Sequence, residues 1–297
     1  MGGKPRLRTA PDGIVIVDKP AGMTSHDVVS RMRRACGTRA VGHAGTLDPM
    51  ATGVLVLGIE RGTKLLGHLT ASAKTYDATI RLGVSTSTED AEGEVVARAS
   101  AASVSDEQIR TAAERFRGLI HQRPSAVSAI KVDGVRSYAR VRAGEQVELP
   151  LREVRIDEFT IHSIRHSDVV VDLDVTVRCS AGTYIRAIAR DLGDALGVGG
   201  HLTALRRTAS GNFTLSDAIA LPEPGEHIAP TSLLTVLERE FHIVRLTSAA
   251  SQQVRHGIRI PAVSAPAGLC GLVADDGSVV ALSEAIDGVW QHAAVFA

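Results

Sequence analysis

Residues 42–59 read GHAGTLDPMATGVLVLGI. From Val54 to Leu57 every residue is apolar, and Gly53 and Gly58 bound the run, which reads as a strand covered on both faces. Just ahead of it stands a lone carboxylate, Asp48. Pro49 stiffens its loop, and Gly42 and Gly45 permit tight turns and close backbone approach. Asp-Pro is most often a helix cap with proline at the first helical position. Here the β-like continuation ATGVLVLG opposes a helix. Asp48 is then a carboxylate raised on a stiff loop above a buried strand, which suits a nucleophile whose attack geometry must be fixed beforehand.

The flanking segments supply the rest of a fold. IVIVDKP (14–20) is β-rich and stops at Lys19-Pro20, where proline cannot continue a ladder. Ser25 is placed to cap the next helix, whose apolar face is Val28, Val29, Met32 and Ala35 and which Gly37 ends. TYDATIRLGV (75–84) and VVVDLDVTVRC (169–179) alternate as half-buried strands. DEQIRTAAERFRG (106–118) is an amphipathic helix stopped by Gly118, and a second helix starts near Tyr184, with Ile185, Ile188, Ala189 and Leu192 on one face. The stretch 121–145 is basic and turn-rich, an extended loop or hairpin. LPEPGEHIAP (221–230) is a linker candidate. Beyond residue 245 the texture is short strands with turns, and Asp275-Asp276-Gly277 signals a hairpin, so a small β-barrel is expected there. Strands and helices do not alternate regularly, so the expected class is α+β: a mixed, largely antiparallel central sheet flanked by helices.

The chain has 297 residues, 44% hydrophobic and 22% charged, the composition of a soluble globular protein. Its apolar runs are too short to span a bilayer, and its basic N-terminus has no apolar stretch behind it, so neither a membrane span nor a secretory signal is expected. Cys36, Cys179 and Cys270 lie far apart without zinc spacing, and read as reduced thiols of a cytoplasmic protein. No metal or cofactor is implied. GIERGTK (58–64) lacks phosphate-loop spacing, and no GxGxxG or GxSxG occurs, so kinase, dehydrogenase and serine-hydrolase readings fail for want of parts.

Formal net charge is zero, yet residues 1–47 hold eight basic against three acidic residues, and 117–142 hold six against one. Such segments suit a polyanion groove, or equally solvated faces balanced by acids folded beside them. Aromatics are scarce, and all three tyrosines (Tyr76, Tyr138 and Tyr184) neighbour a Lys or Arg, a pattern that suits a nucleobase stacked out of its helix. Arg186 follows Tyr184 at a strand-to-helix turn. Held near Asp48, it would keep that carboxylate ionised and aimed. His43 is either a ligand contact or turn filler.

Beyond single motifs, GHAGTLDPMATGVLVLGIERGTK (42–64) resembles the signature of the bacterial tRNA pseudouridine synthases of the B type. VDKPAGMTSHDVV (17–29), KTYDATIRLGVSTSTEDAEGEV (74–95), SAIKVDGVRSYARVRAGE (128–145), CSAGTYIRAIARDLG (179–193) and LRRTASGNF (205–213) resemble further blocks of that family, in family order. The resemblance implies the pseudouridine synthase fold and isomerisation of a T-loop uridine, position 55 of tRNA, by base flipping and an Asp48-dependent glycosidic rearrangement. It implies a catalytic Asp48, a Tyr76 that stacks on the uracil and handles a proton, and an Arg186 paired with Asp48. Tyr184 would shape the pocket, Lys19 and Pro20 would support the Asp48 loop, and His43 would fill the space the extruded base leaves. Asp90 would contact RNA or order its own loop.

Lys131, Arg136 and Arg140 belong to a thumb-like insertion, about 121–150, that would close on the RNA. The implied organisation is a catalytic domain over 1–240 and a small PUA-like RNA-binding barrel over 245–297. The implied partner is the tRNA T stem-loop, met by a monomer with no obligatory protein partner. Three departures stand out: Pro124-Ser125-Ala126-Val127 where the family tends to have two prolines and an aromatic, Ala44 where threonine is usual, and a short tail.

Overall fold

A computed structural model describes residues 10–125, 131–132, 135–136 and 149–296. The first strands are β1 (Gly13–Lys19), β2 (Val41–Ala44), β3 (Thr52–Ile59) and β4 (Lys74–Leu82), followed by the short hairpin β5 (Val84–Thr86) and β6 (Val95–Arg98). Then come β7 (Gly118–Gln122), β8 (Lys131–Val132), β9 (Val135–Arg136), β10 (Arg152–His166), β11 (Val171–Cys179) and β12 (Gly200–Ser210). The short strands β13 (Phe213–Thr214), β14 (Ile219–Ala220) and β15 (Thr231–Ser232) precede four C-terminal ones: β16 (His242–Leu246), β17 (Leu269–Ala274), β18 (Val279–Ile286) and β19 (Val289–Val295). Six helices accompany them among the described residues. They are α1 (Ser25–Ala35), α2 (Leu66–Thr70), α3 (Asp106–Glu114), α4 (Ile185–Ala195), α5 (Leu233–Glu240) and α6 (Ser248–Arg255).

The main sheet runs β14-β1-β3-β12-β4-β11-β10-β7, with β2, β13 and β15 attached at the sides. It is mixed and largely antiparallel: only β1/β14 and β3/β12 pair in parallel. β3 is buried on both faces, as its unbroken apolar run requires. Leu55, Leu57 and Ile59 pack with α1, α3 and α4, while Val54 and Val56 pack with α2, α5 and the C-terminal strands. Each such fully buried aliphatic side chain contributes about 1.5–3 kcal/mol. β4 alternates: Tyr76, Ala78, Ile80 and Leu82 face the helical side.

Several boundaries differ from expectation for local reasons. The cap of α1 is Thr24, in a reciprocal capping box with Asp27, which frees Ser25 to turn inward. α3 ends at Glu114, and Gly118, at φ +83°, opens β7 instead of closing a helix. Gly83, at φ +100°, splits the 75–84 run into β4 and β5. The proline-rich 221–230 segment lies along α1: Arg31 Nη1 donates to the Pro222 carbonyl at 3.1 Å, and the Ile228 amide to the Ala35 carbonyl at 3.3 Å. Of the basic 121–145 segment, the described part beyond Ser125 is the backbone pairing of Lys131 with Arg136. Tyr138 and Arg140 lie outside the described residues.

The expected C-terminal barrel is corrected to an open sheet, β16-β17-β18-β19. Closure is not needed to bury it. One side packs on α6 through Leu272, Val280 and Trp290 against Val254, and Leu282 with Phe296 joins the cluster of Val54, Val56 and α5. Lys64 Nζ donates to the Val295 carbonyl at 2.5 Å, and Arg61 to that of Phe296, fixing the last strand to the 60–65 turn.

One glycine decides how closely two strands meet. Gly53, at φ +101°, sits beside Arg207 in the parallel β3/β12 crossing, and a Cβ there would lie 2.1 Å from the Arg207 carbonyl oxygen. Gly53→Ala is therefore expected to lower the unfolding free energy by about 2–4 kcal/mol, combining backbone strain with overpacking. Urea unfolding measures this, and a loss below about 1 kcal/mol would contradict so tight a crossing.

Candidate active site

The Asp48 loop leaves β2 at Ala44 and re-enters the sheet at Thr52, so Asp48 caps no helix; its carbonyl closes a single turn with the Ala51 amide at 3.1 Å. Side chains from outside hold the loop at three points. The Ser25 hydroxyl accepts from the Leu47 amide at 2.9 Å and donates to the Leu47 carbonyl at 3.2 Å. Lys19, fully buried, donates to the carbonyls of Pro20 (2.9 Å), Met23 (2.6 Å) and Pro49 (3.2 Å). Arg207 Nη2 donates to the Gly45 carbonyl at 3.1 Å. Pro20 itself is exposed.

Opposite the loop, α4 begins at Tyr184 and presents Arg186, whose side chain is only 4% exposed. Its Nε lies 3.0 Å from Asp48 Oδ2 and 3.6 Å from Asp90 Oδ2, while Nη1 donates to the Thr88 carbonyl at 2.9 Å and the Ser125 hydroxyl at 3.1 Å. Asp90 is buried and also orders its own turn, accepting from Thr88 Oγ1 at 2.5 Å and the Glu92 amide at 3.1 Å. The Gln122 side chain fixes the start of α4 by donating to the Tyr184 carbonyl at 3.0 Å and accepting from its amide at 2.8 Å. Asp48 itself keeps 36% of its side chain open to solvent.

These groups surround a cavity of about 250 Å³ lined by Asp48, Tyr76, Tyr184, Arg186, Leu205 and Arg207. A larger groove, about 740 Å³, runs beside Glu92, Asp77 and Asp174. It is acidic, and its Arg206 is bound by Asp18 at 2.6 Å, so it offers an anionic ligand little. The smaller cavity brings a carboxylate and two phenols together with the cations Lys74, Arg186 and Arg207.

Its electrostatics differ in one respect from expectation. Burial pushes the Asp48 carboxyl above its ordinary value. Arg186 opposes this shift and Asp90 reinforces it. Burial likewise raises the Tyr76 phenol, against the pull of Arg207. Lys19 and Lys74 are both lowered by burial, from 10.5 to about 8.

The structure thus brings Asp48, Tyr76, Tyr184 and Arg186 to one cavity, with Lys19 beneath its loop and Asp90 behind its arginine. His43 is on β2 opposite Leu57, outside the cavity lining, and meets His26 edge-to-face at 5.8 Å. Sequence reasoning assigned no role to Lys74, Gln122, Leu205 or Arg207, and gave Ser25 only that of a helix cap, where the structure has it hold the Asp48 loop. A charged doublet, Arg206-Arg207, ending an alternating strand was the available signal for Arg207, and Lys74 stands two residues before Tyr76 on the same strand face. Nothing local marks Gln122. Among the described residues no cluster of His, Cys, Asp and Glu could hold a metal ion, and no helix is long and apolar enough to cross a membrane.

Two family models match the chain. Residues 33–185 match the N-terminal domain of the TruB family pseudouridylate synthases, and 186–224 match the tRNA pseudouridylate synthase B C-terminal domain. A tRNA pseudouridine synthase B of Mycobacterium sp. (strain KMS) is 57% identical over 281 residues, covering 92% of each chain. One of Thermobifida fusca (strain YX) is 52% identical over 290 residues, covering 96% of this chain and 99% of that one. Among solved structures, a chain of a Cbf5-Nop10-Gar1 complex superposes with a TM-score of 0.69 at 26% identity, covering 96% of this chain and 84% of that one. A chain of an H/ACA RNP bound to a substrate RNA containing 2′-deoxyuridine gives 0.67 at 25% identity, with 92% and 78% covered.

The buried lysines carry a stability signature. Between about 8 and 10.5 the unfolded chain binds more protons than the folded one, so each lysine makes stability rise with pH across that window. Lys19→Met should flatten the rise in urea midpoint between about pH 7 and pH 9.5. An unchanged pH slope would mean that the Lys19 ammonium is not buried.

Proposed function

The chain belongs to the TruB family of pseudouridylate synthases, and from that premise we propose that it converts a T-loop uridine of tRNA, position 55, to pseudouridine with Asp48 as its catalytic carboxylate. That it is a tRNA pseudouridine synthase, an isomerase, follows from family membership and from relatives 52–57% identical over most of the chain. The observation supporting Asp48 is its pairing with the buried Arg186 at the edge of a cavity floored by Tyr76.

Isomerisation detaches the uracil at N1 and reattaches it at C5, so the base must leave its stack and turn within an enclosed pocket. Tyr76 supplies the ring platform, and Tyr184 and Leu205 narrow the walls. Asp48 acts as nucleophile or as proton acceptor, and needs to be ionised to do either. Arg186 aims it. Asp90 braces Arg186, and Lys19 with Pro20 sets the height of the loop. His43 fills the gap that the extruded base leaves in the RNA, and Lys131, Arg136 and Arg140 contact its phosphates from the thumb-like insertion. We assign residues 1–240 to the catalytic unit and 245–297 to an RNA-side unit built as an open sheet. The enzyme works in the cytoplasm as a monomer, without an obligatory protein partner.

The test is incubation of the purified protein alone with unmodified tRNA, followed by mapping of pseudouridine. Wild type should modify one T-loop uridine. Asp48→Asn should lose at least about 10³-fold in rate while tRNA affinity stays within about threefold. Affinity should fall linearly with salt on a logarithmic scale, reporting phosphate contacts. Substantial product from Asp48→Asn would remove Asp48 from the chemistry, and modification elsewhere in the tRNA would remove the T-loop assignment.

A further inference from the structure

The cavity carries cations that its carboxylates do not balance. Arg207 is 1% exposed, and its Nε and Nη2 donate to the carbonyls of Val54 (2.7 Å) and Gly45 (3.1 Å). Its direct partner across the sheet is Tyr76, which lines the same cavity and whose phenol its positive charge pulls downward against the effect of burial. Lys74, 5% exposed, donates to the carbonyls of Thr70 and Ser72. Among the described residues, neither has a carboxylate in ion-pair contact. Burying unpaired cations against neutral dipoles is costly, so the fold gains from such charge where something anionic forms beside it.

On the functional reading above, the reaction forms that anion by any route. If Asp48 adds to C6, the displaced π electrons reach O4 as an enolate. If it attacks C1′, or takes a ribose proton to give a glycal, the N1–C1′ electron pair stays with the uracil. In each case the carboxylate loses its charge to a new bond, and the ring gains one negative charge. When C5 bonds to C1′ and the C5 proton leaves, with N1 protonated, the charge returns to Asp48 and the isomerisation balances.

We propose that Arg207 is a positioning residue for the charge-transfer step: its guanidinium donates to the Tyr76 oxygen and so turns the phenol's own O–H toward the uracil oxygen that gains charge, with Lys74 behind. Sheet register enforces the pairing, because Arg207 and Tyr76 are direct partners across β12 and β4 and face the same side. Burial raises the Tyr76 phenol, so it remains a donor at neutral pH. Donors fixed in advance at a site of developing negative charge are among the largest catalytic effects available to a protein.

Single-turnover conversion of unmodified tRNA, with tRNA affinity measured in parallel, compares the full-length wild type with Arg207→Met, Arg207→Lys, Tyr76→Phe and the Arg207→Met/Tyr76→Phe double variant. An inactive wild type would overturn the functional reading itself, which separates the two failures. Arg207→Met should slow the rate with saturating enzyme about 10²-fold, leave affinity within about threefold, and be partly rescued by Arg207→Lys. The double variant should be no slower than Tyr76→Phe within about twofold, since one acts through the other. Losses that multiply in the double variant, or an Arg207→Met defect confined to affinity, overturn the proposal. If thermal unfolding shows Arg207→Met to be misfolded, Arg207→Gln, which keeps donors but loses the charge, replaces it: its rate should fall between those of wild type and Tyr76→Phe, and its double variant with Tyr76→Phe should be no slower than Tyr76→Phe within about twofold.

Discussion

The ion pair between Asp48 and Arg186, 3.0 Å apart, is the constraint around which the molecule is arranged. With Arg186 buried and Asp48 partly open to solvent, the pair adds little net stability, because desolvation offsets most of the attraction. Its value lies in geometry. Arg186 divides its donors among Asp48, Asp90, Thr88 and Ser125, so no single partner saturates it. A carboxylate that took the whole guanidinium would be aimed but weakly basic. Shared with Asp90, Asp48 stays aimed while burial keeps its affinity for protons and electrophiles above that of an ordinary aspartate.

Strand alternation distributes the remaining charges. Neighbours on one strand point to opposite faces, so Arg206 reaches Asp18 on one side while Arg207 reaches Gly45, opposite Tyr76 in register, on the other. Asp18 and Lys19 split in the same way on β1: the first completes a surface ion pair, the second holds the Pro49 carbonyl. Gly53 lets β3 and β12 come close enough for both sets to meet. The loop bearing Asp48 is therefore fixed through carbonyls at Gly45, Leu47 and Pro49, on either side of the residue it displays.

How much of this could be read in advance depended on distance along the chain. β3, β4, β11, α1 and α4 were legible because their periodicity is local and strong, and the mixed α+β sheet followed from their order. Asp48 was legible once its β-like continuation excluded a helix cap. The open C-terminal sheet was not, because short strands with turn signals look alike whether they close or pack against an existing core. Leu282 and Phe296 meet Val54 and Val56 only in three dimensions. Gln122, Arg207 and the hold of Ser25 on the Asp48 loop, where a helix cap was expected, were missed for the same reason: their partners lie 62, 162 and 22 positions away. The upward shift of Asp48 was missed because Arg186 is visible in sequence as a charge, whereas burial is not.

The most direct measurement is a crystal structure of the Asp48→Asn protein with a tRNA T stem-loop. The account requires one uridine out of its stack, its ring against Tyr76, its ribose facing residue 48 and an oxygen of the base within hydrogen-bond reach of the Tyr76 hydroxyl. RNA bound with every T-loop base outside this cavity would contradict it.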